Sequence, residues 1–283
     1  MHRNRTVLIT GASSGFGLLT SVTLAKRGWR VIATMRDLAR GDRLEAAAQE
    51  AGVLDRIEFH ALDVTDNKQI AALAATWTVR QAPLHALVNN AGFAMAGFAE
   101  DVSDTELRQQ FETNFFGAAA VTRAFLPQFR RQGFGHIVML SSITGVMGFP
   151  GIGSYSASKF ALEGWGEALR LEMKPLGIQV VLVEPGSFET DIWTRNAILS
   201  AGLQDASSPN AARTAKLLSR RAAGKLKANP QKVADGIAKI LDRPHPRLRY
   251  LYGRDAFLGL LLKRLLPASL LEKLLIAVSG IGT

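Results

Sequence analysis

Apolar residues occur along the chain in short runs that alternate with longer stretches of helical periodicity. The runs are rich in Val, Ile and Leu with little polar alternation, which is typical of parallel strands covered by helices on both faces. Strands separated by helices pair in parallel through right-handed crossovers. The pattern therefore predicts an α/β fold with a doubly wound parallel sheet of about seven strands. The predicted strands are 5–10, 29–34, 57–62, 84–89, 136–141, 178–184 and 247–252.

Residues at the ends of the helical stretches support the predicted alternation of strands and helices. Gly28 and Gly52 each follow a helical pattern, at the position where a left-handed glycine commonly ends a helix. Ser103 lies three residues before Glu106, a capping-box spacing that opens a long helical pattern. A further helix is predicted at 230–242.

The chain reads as a single domain, 1–283, because it contains neither internal repeats nor a low-complexity linker. Within it, 1–187 is the predicted cofactor-binding and catalytic core. Residues 188–228 are expected to form an insertion that covers the substrate, and 254–283 form a basic, leucine-rich C-terminal tail.

Composition removes several classes of function. The 283 residues include no cysteine, which excludes disulfides, thiolate nucleophiles and cysteine-ligated metals. The five histidines lack zinc-binding spacing, so we expect no metal. No signal peptide is recognisable, and no uncharged apolar stretch reaches the roughly 18 to 20 residues needed to span a bilayer. The expected compartment is the cytoplasm.

The net charge of +10 is concentrated near the C-terminus. Residues 1–211 contain 19 lysines and arginines against 20 acidic residues, whereas 212–283 contain 15 against 4. No interleaving of basic and aromatic residues accompanies this excess, so we expect no nucleic acid partner.

A glycine-rich turn joins the first predicted strand to the first helix. It contains Gly11, Gly15 and Gly17 in a GxxxGxG spacing. Glycines at such a junction permit a tight turn, and the helix N-terminus favours a pyrophosphate. The alternative is a plain strand-to-helix connection.

The end of the second strand bears on the choice of dinucleotide. An NAD site commonly places an acidic residue there to hold the adenosine ribose. This chain has Arg36 just beyond the strand, and a guanidinium can bind the 2′-phosphate of NADP. Asp37 is expected to cap the next helix. The alternative for Arg36 is a solvated surface charge.

Tyr155 and Lys159 are four residues apart, which places them on one face of a helix. A nearby ammonium favours the phenolate and so lowers the pKa of a tyrosine towards the working range of an acid or base. Three predicted strands are each followed by a candidate site residue or pair, which are Asn90, Ser142 and Pro185-Gly186. Since ligands bind at the carboxyl ends of parallel strands, these residues should share one edge of the sheet.

These motifs together resemble the short-chain dehydrogenase/reductase family over about residues 5–253. They are TGxxxGxG at 10–17, Asp63-Val64, NNAG at 89–92, Asn114, Ser142, YxxxK at 155–159 and PGxxxT at 185–190. The resemblance implies a Rossmann-type fold and chemistry on a nicotinamide cofactor. It is strongest for the hydroxysteroid and retinol dehydrogenase branch, which suggests a hydrophobic alcohol or ketone.

The resemblance also implies roles for individual residues. Tyr155 would be the general acid/base, Lys159 would lower its pKa and bind the nicotinamide ribose, and Ser142 would hydrogen-bond the reacting oxygen. Asn114 would hold a water that links Lys159 to solvent. The implied cofactor-binding residues are Gly11, Ser13, Ser14, Gly15, Phe16, Gly17, Arg36, Asp63, Val64, Asn90, Ala91, Gly92, Tyr155, Lys159, Pro185, Gly186 and Thr190.

Two segments are not explained by these motifs. The insertion carries Phe188, Ile192, Trp193, Ile198 and Leu199, followed by a basic stretch from Lys216 to Lys227. These apolar residues suit either an apolar substrate or the anchors of a lid. The tail after residue 254 could lie in a membrane interface beside anionic lipid, or pack over the substrate pocket or against a partner subunit.

The sequence therefore predicts an NADP(H)-dependent oxidoreductase that interconverts a carbonyl and an alcohol on a hydrophobic small molecule, as a homodimer or homotetramer. The alternatives are an NAD(H)-linked alcohol dehydrogenase, a nucleotide-binding sensor or scaffold without turnover, and a peripheral membrane enzyme. The substrate and the direction of reaction stay open.

Overall fold

The computed structural model describes residues 5–80, 82–193, 196–205, 207–223 and 228–281. Of the predicted basic stretch, 224–227 and the side chains of 218–223 lie outside the described residues, as does the side chain of Trp193. None of the described helices combines the length and the apolar composition that a membrane-spanning helix requires. No group of three or more potential metal ligands is found among the described residues either.

Seven parallel strands form the central sheet in the order β3-β2-β1-β4-β6-β7-β9. All seven predicted strands are therefore confirmed, with ends that shift by one or two residues. The strands of the sheet are β1 (Thr6–Ile9), β2 (Arg30–Met35), β3 (Ile57–Ala61), β4 (Ala86–Asn89), β6 (Gly135–Leu140), β7 (Ile178–Pro185) and β9 (Arg249–Tyr252). Two short strands, β5 (Ala94–Ala96) and β8 (Ala197–Leu199), form a separate parallel pair that the sequence analysis missed.

Helices cover both faces of the sheet, as predicted for a doubly wound fold. The helices are α1 (Gly15–Lys26), α2 (Asp42–Glu50), α3 (Asn67–Arg80), α4 (Asp104–Phe111), α5 (Ala118–Gln132), α6 (Gly153–Met173), α7 (Ala201–Gln204), α8 (Ala211–Ala223), α9 (Gln231–Leu241), α10 (Arg254–Leu265) and α11 (Ala268–Ser279). Ser103 forms the predicted capping box with Glu106. Gly28 and Gly52 have positive φ where the first two helices end.

The two faces of the sheet bury separate cores. On one face, Val7 and Val31 lie in a cluster with Leu44 from α2 and Ile237 from α9. On the other face, strand residues cluster with side chains from α3, α5 and α6, among them Trp77, Phe125 and Leu169. Burial on both faces explains why the strands lack polar alternation.

The long helical pattern after Ser103 forms one helix that is not α-helical throughout. Between α4 and α5, residues Glu112–Gly117 form a π-helical turn. Such turns inside a helix often occur at functional sites. Here the turn contains Asn114, which is buried.

The turns that precede β6 and β7 lie in contact. Gly177 has a φ of +78°, and a methyl group added there would overlap the carbonyl oxygen of Gly133. Gly28 has a similar φ of +84°, but a methyl group added there would meet nothing within 4 Å. A comparison of the two glycines therefore distinguishes the free-energy cost of a left-handed backbone from that of a steric clash.

We expect Gly177→Ala to destabilise the protein more than Gly28→Ala. The Gly28 variant should lose about 1 to 2 kcal/mol for a non-glycine residue in the left-handed region. The Gly177 variant should lose at least about 1 kcal/mol more, because the methyl group must displace backbone. Urea unfolding of both variants measures the difference, and equal losses would contradict the close contact.

Candidate active site

Two neighbouring cavities lie over the carboxyl edge of the sheet. The first, of about 280 Å³, follows the ends of β1 to β4 and extends towards Arg36. The second, of about 550 Å³, lies over the ends of β6 and β7 and contains Tyr155. Five residues line both cavities: Phe16, Asn90, Gly92, Thr190 and Ile192. A ligand that fills the first cavity can therefore reach the second.

The floor of the first cavity is a contact between the turn after β1 and the end of β4. Thr10 Oγ1 accepts hydrogen bonds from the backbone N–H groups of Asn90 and Ala91, each at 3.0 Å. The Asn90 side-chain amide donates to the carbonyl oxygens of Thr10 and Gly11, each at 2.9 Å. Gly11 has a φ of +67°, and a Cβ there would lie 2.7 Å from the Cα of Ala91. No side chain fits between the two turns.

The N-terminus of α1 faces this cavity. Ser14 occupies the N-cap position but makes no side-chain hydrogen bond to cap the helix. The first backbone N–H groups of a helix have no partners within it, and they favour an anion. Since Ser13, Ser14 and Gly15 line the cavity, these residues fit the pyrophosphate of a dinucleotide. Gly17 lies beneath the turn, where a Cβ would be 2.5 Å from Nδ2 of Asn90.

The far end of the first cavity is lined by Arg36, as predicted, and also by Arg40. Asp37 caps the short helical turn between them by accepting from the N–H of Ala39 at 3.0 Å, which confirms its predicted capping role. Arg40 was missed in the sequence analysis. It is the last residue of the short 3-10 helix Leu38–Arg40 that follows Arg36, and this turn brings its side chain to the same cavity.

Most of the predicted cofactor residues line one of the two cavities. Those in the first are Gly11, Ser13, Ser14, Gly15, Phe16, Arg36, Asp63, Val64, Asn90, Ala91, Gly92 and Thr190. Those found in the second include Tyr155, Lys159, Pro185 and Gly186. Gly17 lines neither and acts through packing. The first cavity is also lined by residues that were not predicted, among them Leu62, Phe93, Thr113 and Asn196.

Tyr155 and Ser142 meet in the second cavity. Ser142 follows β6, and Tyr155 lies in the first turns of α6, buried to 4% exposure. The side chains of Ser142 and Thr144 act on the Tyr155 hydroxyl and lower the pKa of Tyr155. Burial has the larger effect and raises this pKa to about 12.

Lys159 lies one turn further along α6 and is also buried. Its ammonium donates to the carbonyl oxygen of Leu140 at 2.7 Å and lies 5.7 Å from the centre of the Tyr155 ring. Burial lowers the pKa of Lys159 to about 8, and the carboxylate of Glu163 acts in the opposite direction. Burial of the phenol has the largest effect on the pKa of Tyr155, and the lowering of this pKa by Lys159 stays a prediction.

Asn114 reaches the same helix from the π-helical turn. Its Oδ1 accepts from the N–H of Phe93 at 3.1 Å, and its Nδ2 donates to the Phe93 carbonyl at 3.0 Å. Nδ2 also lies 3.2 Å from Oγ of Ser158, whose hydroxyl donates to the carbonyl of Tyr155 at 2.7 Å. Asn114 thus ties α6 to the end of β4, and its role in holding a water stays a prediction.

Apolar side chains form most of the rest of the second cavity. Phe188 and Ile192 from the predicted insertion line it, together with Leu217 of α8. Ile198 lines the first cavity instead, whereas Leu199 is 37% exposed and lines neither. Part of the predicted apolar set of the insertion therefore lines the two cavities, and its role in covering a substrate stays a prediction.

The C-terminal tail packs against the second cavity, as the pocket-covering alternative predicts. Its lining residues are Leu258, Gly259, Leu262, Leu274, Leu275, Val278 and Ser279. Asp255, at the start of α10, accepts from the N–H of Ser187 at 2.6 Å and so joins the tail to the turn after β7. The outer residues Phe257 and Leu265 stay exposed, and their contact with a membrane or a partner subunit stays a prediction.

The sequence of this chain is similar to those of known oxidoreductases. Residues 5–198 match the family model described as short chain dehydrogenase. The uncharacterized oxidoreductase YusZ of Bacillus subtilis is 42% identical, over 95% of this chain and 96% of that protein. Human retinol dehydrogenase 8 is 37% identical, over 87% of this chain and 80% of its own length.

The crystal structure of a short-chain dehydrogenase from Streptomyces avermitilis has a similar fold. It superposes with a TM-score of 0.80 at 35% sequence identity, and the match covers 99% of this chain and 95% of that one. The similarity therefore includes the C-terminal tail as well as the central sheet.

Proposed function

Because the chain belongs to the short-chain dehydrogenase family, a family of oxidoreductases, we propose that it is an NADP(H)-dependent cytoplasmic enzyme that interconverts a carbonyl and an alcohol on a hydrophobic small molecule. The observation that carries this proposal is the cluster of Ser142, Tyr155 and Lys159 in the cavity that adjoins the dinucleotide cleft. A bound nicotinamide supplies or accepts the hydride, and the residues of the chain supply position and proton transfer.

Tyr155 would act as the proton donor when a carbonyl is reduced. Because burial raises its pKa, the phenol is protonated at neutral pH and ready to donate. The alkoxide that develops in the reaction is a much stronger base than a phenolate, so the transfer is favourable in spite of the raised pKa. Ser142 is placed to share its hydrogen bond with the same oxygen and stabilise its growing charge.

Lys159 would work through its charge. With a pKa of about 8, the ammonium is the main form at neutral pH and can stabilise the Tyr155 phenolate after proton transfer. Its place in the lining of the second cavity also suits the ribose that the resemblance assigns to it.

Arg36 and Arg40 favour NADP(H) over NAD(H). Two guanidinium groups at the far end of the first cavity can pair with a 2′-phosphate, and neither is committed to a carboxylate ion pair among the described residues. Arg43, by contrast, is paired with Asp191 at 2.5 Å. An NAD(H)-linked alcohol dehydrogenase is the alternative if these arginines are only surface charges.

An apolar substrate is favoured by the second cavity. Its walls include Met147, Phe149 and Ile152, with the leucines of the tail opposite, so an apolar molecule would gain from leaving water there. The name of the human relative, a retinol dehydrogenase, points to the same class of substrate.

Self-association is the proposed assembly. Leu107, Phe116 and Phe160 are large exposed apolar residues on α4, the π-helical turn and α6. Such residues on adjacent helices suit a homodimer or homotetramer interface.

A sensor or scaffold without turnover would have no chemical use for Ser142, Tyr155 and Lys159 in one cavity.

The first test removes the hydroxyl of Tyr155. Tyr155→Phe should lower kcat/KM for carbonyl reduction by on the order of 10²- to 10⁴-fold, because general acid catalysis contributes about that much. Tyr252→Phe is the matched control, since Tyr252 does not line the second cavity, and it should retain activity. An active Tyr155→Phe enzyme would rule out the assigned acid.

The second test concerns the choice of cofactor. Arg36→Ala and Arg40→Ala should each weaken NADPH binding by about 10- to 100-fold, the cost of a charge-assisted hydrogen bond. NADH binding should change little, because NADH lacks the 2′-phosphate. Nicotinamide fluorescence measures both, and Arg30→Ala is the control, since Arg30 lies at the opposite, amino-terminal end of β2. Equal binding of NADH and NADPH to the unmodified protein would favour the NAD-linked alternative.

A further inference from the structure

Two carboxylates are buried between α6 and the sheet, behind the proposed catalytic residues. Ile178, Val180 and Leu182 of β7 face α6 within an apolar core. Glu184 continues the same face because strand residues alternate with a period of two, and it is only 1% exposed. Glu163 of α6 is 4% exposed. Buried carboxylates are costly unless they are paired, so their partners are informative.

A single guanidinium joins these carboxylates. Nε of Arg249 donates to Oε2 of Glu163 at 3.0 Å. The same Nε lies 3.1 Å from Oε1 of Glu184, but this oxygen does not accept a hydrogen bond from it. The far side of the guanidinium pairs with Glu167 at 2.8 Å, where the glutamate is about half exposed. Arg249 therefore compensates the two buried carboxylates only in part, because its one Nε–H cannot serve both.

Lys159 is the remaining buried charge beside this group. Tyr155, Lys159 and Glu163 follow one another at intervals of four residues, so all three lie on the buried face of α6. The carboxylate of Glu163 raises the pKa of Lys159 against the lowering effect of burial. The Glu163 carboxylate and the Lys159 ammonium thus share one low-dielectric region.

Other charged and polar side chains also act on the two carboxylates. Burial raises the pKa of Glu163, and Glu167 adds to this, whereas the Ser141 hydroxyl after β6 and Arg249 of β9 lower it. Burial raises the pKa of Glu184 to about 7, and Glu163 adds to this effect. Arg249 and Arg264 of α10 act in the opposite direction. Of the three glutamates around Arg249, Glu163 is the one whose charge raises the pKa of Lys159.

We propose that Glu163, held by Arg249 and backed by Glu184, is a positioning residue that keeps the buried Lys159 ammonium charged at neutral pH. Its carboxylate is the counter-ion that offsets part of the desolvation of the lysine. Without it, Lys159 would lose its proton at a lower pH and could no longer stabilise a phenolate at Tyr155. The catalytic consequence rests on the proposed function, whereas the effect on Lys159 itself does not.

The test measures the pKa of Lys159 in the full chain. Protein labelled with carbon-13 at the lysine side chains is titrated by NMR, and the Lys159 signal is assigned by its loss in Lys159→Arg. In Glu163→Gln, which keeps an oxygen for Arg249, the pKa should fall by about one unit below that of the unmodified protein. Glu163→Asp, which keeps the charge, should restore most of the shift.

Glu167→Gln is the matched control. It removes another carboxylate from the same guanidinium, but one that is half exposed and one turn further from Lys159, so the pKa of Lys159 should stay within a few tenths of a unit. If Glu163→Gln does not fold, as judged by circular dichroism, Glu163→Ser replaces it. A folded variant without the charge and with an unchanged Lys159 pKa would overturn the proposal.

Activity provides a second and separable measurement. The apparent pKa in the pH profile of kcat/KM for carbonyl reduction should move down in Glu163→Gln in parallel with the NMR value. A merely structural role would lower kcat without moving this pKa. If the NMR shift is found but the enzyme neither reduces carbonyls nor depends on Tyr155, the counter-ion stands and the proposed function fails.

Discussion

The contact between the turn after β1 and the end of β4 is the interaction on which the site depends. Four hydrogen bonds join Thr10 and Gly11 to Asn90 and Ala91, and Gly11 leaves no room for a side chain between them. This contact sets the floor of the first cavity and the direction of α1. A parallel sheet brings the two turns to one edge, but the hydrogen bonds fix the distance between them.

A continuous path leads from this contact to the catalytic helix. The strand end that carries Asn90 is followed by Phe93, which is bound on both its backbone groups by Asn114. Asn114 contacts Ser158, which in turn is bonded to the backbone of Tyr155. The π-helical turn aims the Asn114 amide at both partners. The cofactor cleft and the proton donor are therefore positioned by one network, which suits a reaction that needs both within reach.

Burial, rather than a single charge, sets the electrostatics of the site. It raises the pKa of Tyr155 and lowers that of Lys159, so it disfavours the phenolate and the ammonium alike, although the ammonium stays the main form at neutral pH. The Glu163 carboxylate opposes this trend at Lys159. The carboxylates of Glu163 and Glu184, buried between α6 and the sheet, thus extend the site beyond the residues that would touch a substrate.

Much of this arrangement could be predicted from the sequence, because motifs at the ends of apolar strands must meet at one edge. The strands, the capping role of Asp37 and the joint placement of Ser142, Tyr155 and Lys159 follow from local pattern. The π-helical turn could not be predicted, since helical periodicity does not distinguish it from a regular turn. Glu163 and Glu184 gave no signal either, because their burial depends on packing between α6 and β7. The same holds for the dominant effect of burial on the pKa of Tyr155.

The most direct test of the account is a crystal structure of the protein with bound NADP⁺. The pyrophosphate should lie at the N-terminus of α1, and the 2′-phosphate should contact Arg36 or Arg40. The nicotinamide ring should lie where the two cavities meet, beside Thr190, with its reactive face towards Tyr155. A nicotinamide ring placed outside the second cavity, out of reach of Tyr155, would contradict the proposed chemistry.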